Sequence, residues 1–213
     1  MRTALVERRR DMLEGLLVDL VPYGNVFYEQ FHRWMNGEAS FWASGGERQF
    51  MSQAMIAARR DRLAEERERT GGESSVAFGV QTKDGKPLGY FGVNWLSVHH
   101  RVANLGAKIG EPEYWGGGYG TDALLLLLDY AFDWLDVRKA WLTTTSMNAR
   151  VLHMMEKVGF RLEVRQRQSA LADGVWYDWL AYGMLREEWP GRAALVERLG
   201  LRKRAAALES GAK

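Results

Sequence analysis

No cysteine occurs in the 213 residues, which excludes a disulfide framework and a thiolate metal site. Histidine is scarce too: there are four, none in an H-E-x-x-H arrangement, so a zinc enzyme is not expected and no metal is assigned. Charge of one sign is also missing. Lys and Arg number 29 against 27 Asp and Glu, a formal net charge of +2, whereas a nucleic-acid binder carries a stronger basic bias. The most apolar run, "ALLLLL" at Ala123–Leu128, is far too short to span a bilayer. The start "MRTALVERRRDMLEGLL" lacks the apolar core of a signal peptide, and no N-x-[ST] site occurs. A cytoplasmic protein with neither a membrane nor a nucleic-acid partner is the expectation. Two phosphate motifs are absent as well. No Gly-Lys-Ser/Thr exists for a Walker loop, and the third glycine of G-x-G-x-x-G falls on Thr121.

What is present is enough apolar residue, 46%, for one sizeable core. The organisation expected is an extension over 1–14, one domain over 15–189 and a helical tail over 190–213. "GLLVDLVPYG" reads as a first strand. "NVFYEQFHRWMNG" has apolar residues at helical spacing and stops at Asn36-Gly37. "GGERQFMSQAMIAARRDRLAEERERTGG" reads as a second, charged helix with a solvated face. Asp84-Gly85 and Asp173-Gly174 are hairpin signals. Between them lie a strand at Arg101–Gly110, a helix from about Gly118 to Leu135, the β-branched strand "RKAWLTTT", and a short helix with Asn148 as N-cap and Gly159 at its end. The order β-α-α-β-β-β-α-β-α-β-β implies a mixed sheet with helices on its faces, an α/β (α+β) sandwich. The tail reads as an added, fraying helix.

One stretch asks for a chemical reason. In "EPEYWGGGYGTDALLLLLDYAFDWL" (Glu111–Leu135) four glycines stand directly before a helix. Glycine costs roughly 0.5–1 kcal/mol relative to alanine wherever backbone is ordered. A helix start offers unpaired N–H groups and the positive end of the dipole, a setting for an anion. A flexible turn is the other reading, and the stretch alone leaves both open.

"RVANLGAKIGEPEYWGGGYGTDALLLLLDYAF", followed by "TTTSMNARVLHMMEKVGF", resembles the GNAT superfamily of acyl-CoA-dependent N-acetyltransferases. It is similar in particular to the branch that includes ribosomal-protein N-terminal acetyltransferases. Glu113 to Ala123 follow that branch's glycine motif almost position for position. Asn148, Glu156, Lys157, Gly159 and Phe160 follow its later one, and the resemblance covers about Gly15 to Trp189. It implies a centrally splayed sheet, acetyl-CoA as cosubstrate and a primary amine, of a small molecule or a protein N-terminus, as acceptor. It also implies that Gly116, Gly117, Gly118, Tyr119, Gly120 and Thr121 wrap the pyrophosphate. The strand at Ala107–Ile109, with Lys108 and Ile109, would hold the pantetheine arm through its amides, and Asn148 would approach from the other side. Homodimers are common among such enzymes, so the resemblance leaves a homodimer open without deciding the oligomeric state.

The resemblance also locates departures. Trp115 stands where the family often has a Gln or Arg phosphate donor. Asn104 takes the place of a strand Glu that acts as base or holds water, Met155 that of a Tyr acid, and Val151 that of a Ser. Acetyl transfer needs a neutral amine, and an alkyl ammonium has a pKa of roughly 10.4. The candidates for chemistry are therefore Asn104, His99 with its neighbour His100, and Asp178. Asp178 is a charge inside the apolar strand "VWYDWLAYG" that needs either an ion-pair partner or a role at the amine. Trp34, Phe41, Trp42, Trp95 and Trp179 are candidates for an apolar acceptor pocket or for plain packing, with Glu38 nearby to meet a cation. Three functions follow: an N-acetyltransferase, an acyl-CoA-binding module without turnover, and, argued only from the charged helix and "LRKR" in the tail, a nucleic-acid partner.

Overall fold

The two Asp-Gly pairs are the tight turns about which the sheet is folded. At the second, Asp173 (φ 46°) and Gly174 (φ 80°) both occupy the left-handed region, as a twisted two-residue hairpin requires. The structure is a computed structural model and describes residues 13–48, 50–70 and 75–211. Most of the expected 1–14 extension and the Gly71-Gly72 helix stop lie outside the described residues.

Among the described residues seven strands make one sheet: β1 (Val18–Pro22), β2 (Val76–Thr82), β3 (Pro87–Ser97), β4 (Val102–Ile109), β5 (Lys139–Thr145), β6 (Arg161–Ala172) and β7 (Val175–Leu185). Their spatial order is β1-β2-β3-β4-β5-β7-β6, and all pairs are antiparallel except β4–β5. That single parallel step follows from the helix α4 (Tyr119–Asp129) in the crossover. Leu124 to Leu128 are all fully buried. A helix apolar on every side belongs inside a core. The expected end near Leu135 is reached through a wider π-type turn, Tyr130–Trp134.

On the other face lie α1 (Asn25–Asn36), α2 (Glu38–Ala43) and α3 (Gln53–Thr70). α2 corrects the expected order, which held two early helices. Gly37 does stop α1, but the chain restarts at once, with Glu38 in the first turn of α2, where its charge suits the helix dipole. α3 accordingly begins at Gln53 and not in the glycines before it. After β5 comes α5 (Ala149–Val158), where the Asn148 side chain accepts from Val151 N–H and Gly159 closes the helix in the left-handed region, both as expected.

The tail differs from its expectation. It forms α6 (Arg192–Arg198) and α7 (Leu201–Gly211), and Leu195, Val196 and Leu201 are buried in the same core as the α4 leucines. Burying apolar side chains at roughly 1.5–3 kcal/mol each gives this segment reason to dock and not fray.

Candidate functional site

β4 and β5 are in register only at Val102–Lys139, Ala103–Ala140 and Asn104–Trp141. Past Asn104 they part: β4 continues alongside β3 to Ile109, and β5 continues alongside β7 to Thr145. The splay opens a cleft whose β4 wall has backbone groups without a β5 partner. At its far end the chain passes through a short 3-10 turn, Pro112–Tyr114, into the glycines. Glu111, 2% exposed, pins this junction to α1 by accepting from Arg33 and from Trp34 Nε1 (2.8 Å).

The glycine turn has the shape of an anion cradle. Gly116 (φ 79°) and Gly118 (φ 100°) take conformations that L side chains disfavour. A Cβ on Gly116 would meet nothing within 4 Å, so the turn opens outward. The first α4 bond runs from Asp122 N–H to the Gly118 carbonyl at 2.9 Å, which leaves the amides of Tyr119–Thr121 without an intrahelical acceptor. With the dipole's positive end added, these residues fit a pyrophosphate. The turn is fixed from below by Asp122, which is fully buried. Its Oδ2 accepts from Leu17 N–H (2.7 Å) and Val18 N–H (3.3 Å), tying α4 to the start of β1. Burial raises this carboxyl above the ordinary range despite those bonds. The Tyr119 ring packs edge-on against Tyr114 at 4.9 Å and anchors the loop.

The Trp115 indole N–H is spent within the chain: it donates to the Ile109 carbonyl at 2.9 Å, holding the end of β4. The Arg150 guanidinium, from the start of α5, lies over the Trp115 ring at 4.1 Å and over Trp42 at 5.1 Å. It is a cation bridging the two sides of the cleft, and sequence reasoning missed it. Asn148 is engaged on both sides of its amide, with Val151 N–H at 3.4 Å and the Trp42 carbonyl at 3.4 Å.

The residues named for chemistry fall in different places. Asn104 is the last residue of β4 paired with β5 and stands at the mouth of the splay. Its Oδ1 accepts from Asn94 Nδ2 at 3.3 Å. Asn94 sits in a β3 irregularity, and a Cβ at Gly106 would strike its carboxamide at 2.4 Å, so the pair is built in. His99 is not brought to the cleft. It lies in the exposed β3–β4 turn, beside His100, at the end of β4 opposite the glycines. Asp178 also belongs elsewhere. Its carboxylate takes the Arg165 guanidinium and Gln168 N–H, closing the β6 irregularity, and these bonds hold its pKa below the ordinary value. The ion-pair reading describes it, and the acceptor role is set aside. Met155 is 1% exposed, inside the core, and not on an open channel.

The Lys108 side chain is distinctive apart from the strand amides. It is 6% exposed, with Nζ against Met35 Sδ at 3.3 Å. Burial, with Arg59 as a lesser cause, lowers its pKa from 10.5 to about 8.

Beside the cleft a hollow of about 580 Å³ is lined by Met35, Glu38, Phe41, Trp42, Glu47 and Phe50, among others. Glu38 accepts from Trp42 Nε1 at 3.0 Å, so two of the expected aromatics and the expected acid meet here. Trp34, in contrast, is core at 1% exposure, and Trp95 is 49% exposed.

A splayed mixed sheet with a glycine turn at the central helix defines an acyl-CoA-type transferase fold. The chain matches the family model of the acetyltransferase (GNAT) domain over residues 22–161 and belongs to that family, whose members use acetyl-CoA. It is 27% identical over 112 residues to the uncharacterized N-acetyltransferase YoaA of Bacillus subtilis, covering 52% of this chain and 63% of that protein. It is 34% identical over 80 residues to spermidine N(1)-acetyltransferase of Escherichia coli, covering 38% and 42%. Each match thus spans less than two thirds of the relative's length. Among solved structures, spermidine N-acetyltransferase from Vibrio cholerae in complex with CoA and spermine superposes with a TM-score of 0.69 at 19% identity, over 81% of this chain and 97% of that one. At that identity the likeness concerns the fold.

Proposed function

We propose that the protein transfers the acetyl group of acetyl-CoA to a primary amine, borne by a small molecule or by a protein N-terminus as in the ribosomal-protein branch. The observation that carries this reading is the parting of β4 and β5 after Asn104, leading straight to the Gly116–Gly120 turn.

Acetyl-CoA supplies an activated acetyl thioester, and the chain supplies placement. The amides of Gly116–Thr121 hold the pyrophosphate, and free β4 amides past Asn104 orient the pantetheine and take charge from the carbonyl oxygen. Asn94 and Asn104 hold the amine or its water by hydrogen bonds. Neither carboxamide takes up a proton, so the ammonium's proton passes to water. A carboxamide at Asn104 in place of a base forgoes about 10²–10⁴-fold, leaving proximity and oxyanion terms intact. Glu38 and the rings of Phe41 and Trp42, lining the hollow, suit a cationic acceptor.

Calorimetry with acetyl-CoA, then thiol release across a panel of polyamines, amino-acid derivatives and N-terminal peptides, tests the reading. Binding plus amine-dependent release supports it. Binding without release for any amine replaces it with an acyl-CoA-binding module, a reading motivated by Asn104 and Met155. A protein that does not bind acetyl-CoA refutes both.

A further inference from the structure

The glycine turn lacks the side-chain donor that Trp115 displaces, yet a cation reaches it from outside the matched span. α7 begins after Gly200 with Leu201, which is 1% exposed in the main core and so fixes the helix's first turn. One turn later Arg204 shares that face. A Cβ on Gly118 would lie 3.2 Å from Leu201 Cδ2 and 3.4 Å from Arg204 Cδ, so both side chains abut the turn. Arg204 Nη1 donates to the Gly116 carbonyl at 3.3 Å. Its basic neighbour Arg202 is held by Glu197 at 2.6 Å, whereas the contact found for Arg204 is a neutral carbonyl. A guanidinium that packs against the glycine turn and is bonded there to a neutral group has further donors to offer a phosphate.

We propose that Arg204 is the side-chain phosphate contact of this site, delivered by the C-terminal helix to the CoA phosphates at Gly116–Gly120. The inference rests on the acetyl-CoA reading above. It also gives "LRKR" a role other than nucleic-acid binding: its last arginine completes the cofactor site.

The test is calorimetric titration of the full chain and its Arg204→Gln and Arg204→Lys variants with CoA, 3′-dephospho-CoA and pantetheine. A charge-assisted hydrogen bond from an exposed side chain corresponds to about tenfold in affinity. Arg204→Gln is expected to weaken CoA about tenfold, Arg204→Lys to restore most of that loss, and neither to change pantetheine binding. An equal loss with 3′-dephospho-CoA assigns the contact to the pyrophosphate; no loss with it assigns the 3′-phosphate. Unchanged CoA affinity in a folded Arg204→Gln protein overturns the inference while the functional reading stands. Equal weakening of pantetheine also overturns it, since the arginine would then only shape the loop. If the unaltered protein binds no CoA, the functional reading falls and takes this assignment with it.

Discussion

Replacing Lys108 by methionine removes a buried charge without removing much volume, and its effect can be worked from the structure. Nζ is placed against Met35 Sδ, with Arg59 as a second cation nearby and no acid among the causes of its shift. The folded pKa is about 8 against an ordinary 10.5. Below pH 8 both states carry the proton, and the folded state holds it at a cost. Between pH 8 and 10.5 the unfolded chain keeps the proton that the folded chain has lost, so stability rises with pH. At about 1.36 kcal/mol per pH unit, the full span is roughly 3 kcal/mol. Lys108→Met is therefore expected to be more stable at pH 7 by up to roughly 3 kcal/mol, about 10 °C in Tm for a chain of this size. The gain should shrink steadily as pH rises from 8 towards 10.5. Thermal unfolding of both proteins from pH 6 to 10 measures it. A variant that is less stable at pH 7, or a gain that does not change with pH, would show that the buried ammonium does not destabilise the folded chain. CoA affinity should be unchanged, because the strand contributes backbone groups.

Gly116→Ala, with its Cβ in open space but its φ at 79°, should cost about 1 kcal/mol of stability and weaken CoA binding measured by calorimetry, whereas Gly118→Val would also press on Leu17 and Leu201 and so confuses folding with binding. Met155→Tyr adds bulk to a side chain that is 1% exposed and should destabilise by roughly 1–3 kcal/mol in chemical denaturation; a variant as stable as the parent would show that the site opens on the cleft. Asp122→Ala strands the buried amides of Leu17 and Val18 and should cost on the order of 3 kcal/mol, seen as a lower denaturation midpoint.

Local signals were legible in the sequence. Asp173-Gly174, the Asn148 cap and Gly159 depend on neighbours within a few residues, and they fold as their chemistry dictates. A glycine turn leading into a helix was readable for the same reason, while its anion role came only with the family resemblance. Residues whose surroundings come from distant segments were not readable. Nothing near Lys108 in sequence says that Met35 and Arg59 will close over it. Asp178 finds Arg165 and Gln168 only through the β6–β7 register. Met155 carried a family position but not its burial. Leu195 and Leu201 join the core across most of the chain's length, so the tail looked like an appendage. Arg204 was visible only as one of several basic residues. A shorter-range miss was α2, where Gly37 was read as a stop but not as the start of a second helix.

Acetyl transfer by the parted strands and the glycine turn is open to direct measurement. The most direct measurement incubates the purified protein with acetyl-CoA and a polyamine or N-terminal peptide, and follows free thiol together with the mass of the acceptor. Thiol release is expected to depend on the amine and to match, one for one, acceptor gaining an acetyl group, with both reduced in Gly116→Ala. Thiol release at the same rate without any amine, or acetyl-CoA left intact across the panel, would contradict it.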